Sequence, residues 1–399
     1  MWRKHWRMVT VYSASHFIVD FACAFLMFRS ISLQKDWYLC ILLYNFCAFA
    51  MQMPIGVAAD MVNRNFLFAA IGCVLVGAGY GLTGVPVFAA IVIGLGNGMF
   101  HIGGGVDVLN ISTGKSAALG VFVSPGAFGV YFGTVLGKGD VQLVLPIILV
   151  LLAAACMIII SRRAWAGCYT DNEEFSLLPL PSLAAHTKNH DPLPSLPLTQ
   201  PSNRTASGAS VQDLPCASPP PERLSRKDQI INNPDDAGAG LTALLYAVVC
   251  LFLVVCLRSY VGLAITFPWK STGLWGLALV CASAFGKTAG GFLSDLLKPM
   301  KTAAFSLGVA ALLFLLPLSP AAGVPAMFLF NMTMPITLWA MMKVLPNAKG
   351  FSFGLLTFAL FLGFLPVYLR SGAIIYWMAA ILAVISLALL LLGLRKARL

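Results

Sequence analysis

PIGVAADMVNR, residues 54 to 64, and AGGFLSDLLKPMK, residues 289 to 301, share one pattern at the end of a long apolar run. In each, a glycine is followed four residues later by an aspartate and then by basic residues. Gly56 and Asp60 correspond to Gly291 and Asp295 at a common shift of 235 residues. Beyond each motif, Asn97, Lys115, Gly120 and Gly129 correspond to Asn331, Lys349, Gly354 and Gly363 at a shift of 234. Self-similarity on this scale means that one unit has been used twice. Both shifts run in the same direction and span an even number of apolar segments, so the copies are expected to be parallel, related by an axis along the membrane normal.

The solvent for such a chain is lipid. Of 399 residues 59% are hydrophobic and only 10% charged, with a mean hydropathy of +0.85, which excludes an ordinary soluble domain. A crossing helix needs about 20 mostly apolar residues, and about twelve such segments recur. They start near Met8, Trp37, Phe66, Pro86, Ala117, Val141, Leu241, Gly273, Thr302, Val324, Phe351 and Ala373. Short alternating segments of the β-barrel kind are absent. The expected fold class is an all-α polytopic membrane protein, with six-helix bundles over residues 1–161 and 240–399. Between them, residues 162–239 turn abruptly to Pro, Ser, Asn and charge, a composition expected to stay disordered. His186 and His190 lie in that linker without a helical pattern or acidic partner, so they read as linker histidines, and no metal or cofactor is expected.

A net charge of +11 would suggest nucleic acid in a soluble protein, but its placement here reads as topology. With a cytoplasmic amino terminus, Arg3, Lys4, Arg7, Arg64, Lys115, Arg162, Lys298 and Lys349 fall inside, and Arg29, Lys35, Lys138, Lys270 and Arg370 are left outside. The positive-inside bias therefore places both termini in the cytoplasm. No nucleic-acid partner is implied. The segment at Met8 is full length and lacks a small-residue cleavage site, so it is expected to be the first helix and not a signal peptide. The ten cysteines are scattered singly, forming neither a disulfide framework nor a CxxC site.

A 6+6 parallel duplication with a long central loop, and the Gly-x-x-x-Asp-x-x-x-Arg pattern of residues 56–64, resemble the major facilitator superfamily. SHFIVDFACAFL (15–26), GLGNGMFHIGG (94–104), GKSAALGVFVSPGAFGVYFG (114–133) and LRSYVGLAITFP (257–268) are similar to its fosmidomycin-resistance (drug efflux) branch. Ile102 stands where that pattern has proline. The resemblance implies a proton-driven exporter in the inner membrane. It also implies that Asp60, Arg64 and Asp295 are gate residues, the aspartates meeting a helix amino-terminal dipole. Pro125, Gly126 and Gly129 partly resemble the antiporter signature.

Ionisable side chains inside the hydrocarbon region are costly, and normally face protein or a water-filled cavity. His16 and Asp20 are four residues apart on one face of the first helix, where imidazole and carboxylate can share a proton. They are the candidates for proton coupling. His101, Arg258, Tyr260 and Lys287 are candidates for the substrate cavity, since guanidinium and ammonium groups suit an anion. Gly103, Gly104 and Gly105 are expected to allow close helix approach and local unwinding beside His101, with Asp107 assigned to the inner gate. The function expected is proton-coupled export of a small anionic or amphipathic compound by alternating access, performed by a monomer in the lipid bilayer. Proton-symport uptake of an organic anion would use the same residues. A sensor on a transporter fold is the reading from another class. A membrane enzyme is disfavoured, because neither HExxH nor GxSxG is present.

Overall fold

The computed structural model describes residues 2–112, 114–166, 234–316, 319–369 and 373–399; the side chains of residues 2–4, 163–166 and 234–239 fall outside that description. Most of the 162–239 linker, with His186 and His190, also lies outside it, as does Arg370. The described chain is almost wholly helical. Its segments are α1 (Trp2–Arg29), α2 (Trp37–Val62), α3 (Asn65–Leu82), α4 (Pro86–Ile111), α5 (Ala117–Lys138), α6 (Val144–Ala166), α7 (Pro234–Ala264), α8 (Trp275–Leu297), α9 (Pro299–Phe314), α10 (Pro320–Val344), α11 (Lys349–Tyr368) and α12 (Tyr376–Lys396). Eleven of these are long and apolar enough to cross a membrane; the twelfth, α9, is apolar but has 16 residues. The protein is an integral, multi-pass membrane protein.

Proline marks several starts, at Pro86, Pro299 and Pro320, where its missing N–H would have no intrahelical partner. The tight link from α2 to α3 turns at Asn63 with φ 52°, and the link from α8 to α9 turns at Lys298 with φ 75°. These residues are also 235 apart, so the repeat extends to backbone torsions.

Lipid is as apolar as a leucine side chain, so helices associate here through close packing of small residues more than through hydrophobic burial. The α1–α5 seam shows this, with Gly129, Gly133 and Gly137 facing the carbonyls of Phe17, Phe21 and Phe25. Packing between the two halves is concentrated in α2 against α11 and α5 against α8. A Cβ at Gly56 would strike the carbonyl of Gly350, and one at Gly350 would strike Gly56. In the other seam Gly291 faces the Ser116 carbonyl and Gly120 faces that of Lys287. Replacing Gly56 with valine is therefore expected to keep the α2–α11 seam from closing. A single cysteine at Phe353, which lines the central cavity, would then react about tenfold faster with an impermeant maleimide. An unchanged rate would show that the seam tolerates the side chain.

Candidate functional site

The two motif aspartates sit at these seams. Asp60 at the end of α2 accepts hydrogen bonds from the backbone N–H of Gly350 (2.7 Å) and Phe351 (2.9 Å), at the first turn of α11. Asp295 at the end of α8 accepts from Ser116 N–H (2.8 Å), Ser116 Oγ (2.9 Å) and Ala117 N–H (3.0 Å), at the first turn of α5. Ser116 and Ala117 lie 234 residues before Gly350 and Phe351, so one latch is built twice. Each joins the two halves and fills the orphan donors of a helix amino terminus with a negative charge. Since α2 and α8 end on the face where α1 begins, both sets of hydrogen bonds join the halves on that face. Neutralising either aspartate as asparagine is expected to weaken closure by about 1–2 kcal/mol. The double variant should shift the open population by roughly the sum, because the caps act on different helices. Maleimide accessibility from the terminal face would measure it, and additive single and double shifts are the expected result. Arg64, the third motif residue, is exposed and caps the start of α3 without a side-chain bond.

Between the halves lies a cavity of about 320 Å³, lined by residues of α1, α2, α4, α5, α7, α8, α10 and α11. Its wall on the amino-terminal half carries His16, Asp20 and His101. His16 Nε2 lies 3.1 Å from Asp20 Oδ2 and 2.8 Å from His101 Nε2, while His101 Nε2 is 3.7 Å from Asp20 Oδ1. Asn97 Nδ2 donates to Asp20 Oδ1 at 2.9 Å. The far side of each ring settles its tautomer. His16 Nδ1 is 2.7 Å from the Phe122 carbonyl and His101 Nδ1 is 2.8 Å from the Asn97 carbonyl. A carbonyl only accepts, so both Nδ1 atoms carry hydrogen and donate. Two Nε2 lone pairs and a carboxylate then converge on one point. Such a set of acceptors suits a shared cation, of which the proton is the smallest. It is also the one group of three His, Cys, Asp or Glu ligand atoms within 4.8 Å of one another among the described residues. Gly126 of α5 makes the room, since a Cβ there would overlap Asp20 Oδ2 and His16 Nε2.

The opposite wall carries Arg258 and Lys287. Arg258 is buried, and its Nη1 donates to Thr337 Oγ1 at 3.1 Å. Among the described residues neither cation has a carboxylate within 4.0 Å, and Asp20 is paired with His16 instead. The cavity is thus rich in acceptors on one side and in cationic donors on the other.

Two sequence candidates stand elsewhere. Tyr260 is half-buried against the apolar core and is not on the cavity wall. Asp107 is buried inside the amino-terminal half, accepting from the Tyr12 hydroxyl at 2.6 Å, and not at the junction of the halves. The expected unwinding at Gly103–Gly105 is not seen, because α4 runs unbroken from Pro86 to Ile111. Those glycines instead serve close packing: Gly103 meets the Asn65 carbonyl, Gly104 the Tyr12 and Phe122 rings, and Gly105 the Phe353 ring. In the sequence Asn97 stands out only as a repeat position; its match to Asn331 was the signal available.

No family model and no curated protein sequence matches the chain. Among solved structures it is similar to FucP, a major facilitator superfamily transporter in an outward conformation, with a TM-score of 0.59 at 13% identity over 99% of each chain. It is also similar to a single-site variant of FucP, the E. coli fucose:proton symporter, with a TM-score of 0.53 at 12% identity over 98% of this chain and 97% of that one. The chain has the major facilitator fold.

Proposed function

We propose that the protein is a proton-coupled secondary transporter that exports a small organic anion by alternating access, as in the fosmidomycin-resistance branch that its sequence resembles. The carrying observation is the divided cavity. A cation-holding cluster, His16, Asp20 and His101, lies on one half, and two cations without carboxylate partners, Arg258 and Lys287, lie on the other. A proton taken up by the cluster favours one orientation and the anion the other, which is what coupling requires: each ligand must differ in affinity between the two states. The Asp60 and Asp295 latches hold the cytoplasmic face shut in the orientation that receives the proton, with both termini cytoplasmic in an inner membrane and the protein acting as a monomer.

Everted vesicles energised to an acid interior and reported by a pH dye test this reading, with small phosphonates and carboxylates added in turn. Export by antiport predicts that the interior becomes alkaline when a transported anion is added. Proton symport is the second reading, and the likeness to a fucose:proton symporter favours it. It predicts no such alkalinisation. Binding of an anion without any solute-dependent proton flux or solute movement would point to a sensor.

A further inference from the structure

The cavity wall holds a fully buried polar atom that the coupling scheme leaves unused. Gln52 is fully buried on α2, and the wall of the cavity includes it. It follows a π-helical turn, Phe46–Ala50, of the kind often found at functional positions. Its Nε2 lies 2.6 Å from the Ala48 carbonyl. Because that carbonyl only accepts, the amide orientation is fixed and Oε1 is the free end. Oε1 has no hydrogen-bond partner, and among the described residues it is the one fully buried side-chain oxygen or nitrogen of the cavity wall left so. The other neutral polar side chains there each donate a hydrogen bond: Ser259 Oγ to the Leu360 carbonyl, Asn331 Nδ2 to that of Met327 and Thr357 Oγ1 to that of Gly354.

The repeat supplies an independent argument that position 52 serves the cavity. Residue 287 lies 235 residues beyond residue 52, the same shift that relates Asp60 to Asp295. Both positions are on the wall. One half therefore offers an acceptor where the other offers a cation. Gln52 also stands in the α2–α11 seam, its own carbonyl facing Gly354. Its side chain packs toward Gly98 of α4, within the amino-terminal half, on the wall of the cavity into which a solute would load. A buried carbonyl without a donor is costly, and the cost is relieved when a ligand supplies the donor.

We propose that Gln52 selects the cargo by accepting a hydrogen bond from an O–H or N–H group on the anion, whose charged head sits at Arg258 and Lys287. The substrate class is then a bipolar anion, such as a hydroxylated or amide-bearing phosphonate or carboxylate. This rests on the anion-transport reading above.

The test is initial uptake into proteoliposomes of matched pairs, 3-hydroxypropylphosphonate against propylphosphonate and malate against succinate. The intact protein should prefer the hydroxylated member of a transported pair by about tenfold or more, since a site built to bond a hydroxyl discriminates strongly against its loss. Gln52→Leu and Gln52→Met should abolish the preference by slowing the hydroxylated member alone, and retained transport of the other member reports correct folding. Equal transport of both members by the intact protein, or an equal loss of both in the variants, would overturn the role of Gln52 and leave anion transport standing. Failure of the intact protein to move any of the four would overturn both.

Discussion

Asp20→Asn is expected to lower proton-gradient-driven accumulation by about 100-fold, the upper range of coupling between two ligands, while solute exchange across the membrane continues. The substitution keeps the shape of the side chain and an oxygen for Asn97, which donates to Asp20 at 2.9 Å. It removes the negative charge that lets His16 and His101 hold a cation between their Nε2 atoms, 2.8 Å apart. Without that charge the proton no longer distinguishes the two orientations, and a ligand with equal affinity for both shifts nothing. Exchange of labelled for unlabelled anion needs no net proton movement, so it separates lost coupling from a misfolded protein. Gradient-driven accumulation that survives in the Asn variant would remove Asp20 from the scheme.

Arg258→Met is expected to act on the other ligand, lowering kcat/KM for the anion by about 100-fold, the loss of one or two charge-assisted hydrogen bonds. Arg258→Lys keeps the charge without the planar fork and should fall between, at about tenfold. Both exchange and accumulation should suffer equally, in contrast to Asp20→Asn. Arg258 has no carboxylate within 4.0 Å among the described residues, so its removal orphans no buried anion. The Met variant should consequently melt at the same or a higher temperature, the usual trade where a strained functional group is removed. A variant that is inactive and also much less stable would mark Arg258 as structural. Melting in detergent, measured beside transport, tells the two apart.

Much of the architecture was legible because the repeat is written in glycines and aspartates that cannot drift. Gly56, Gly120, Gly291 and Gly354 sit where backbones touch, and only glycine fits such a contact. Asp60 and Asp295 could be paired from sequence, but their partners could not, since the first turns of α11 and α5 are nearly 290 and 180 residues away. The pairing of His16 with Asp20 follows from one helical turn. That His101 completes the group depends on how α1 lies against α4, and apolar periodicity says little about this when lipid and protein interior are equally apolar. Tyr260 is instructive: two residues beyond Arg258 on a helix of 3.6 residues per turn, it points roughly to the opposite side, and it packs in the core. Asp107 approaches the end of α4 as expected, yet its face turns inward to Tyr12. Gln52 matches Lys287 at the repeat shift, but nothing in the sequence marks its side-chain oxygen as unpaired.

In the proposed scheme one cavity exchanges a proton for an organic anion. Purified protein in liposomes with an acid interior, supplied outside with a labelled phosphonate, tests it most directly. Accumulation of the label above its external concentration, collapsing when a protonophore removes the gradient, is the predicted result. Uptake of the same size with and without the gradient would contradict it.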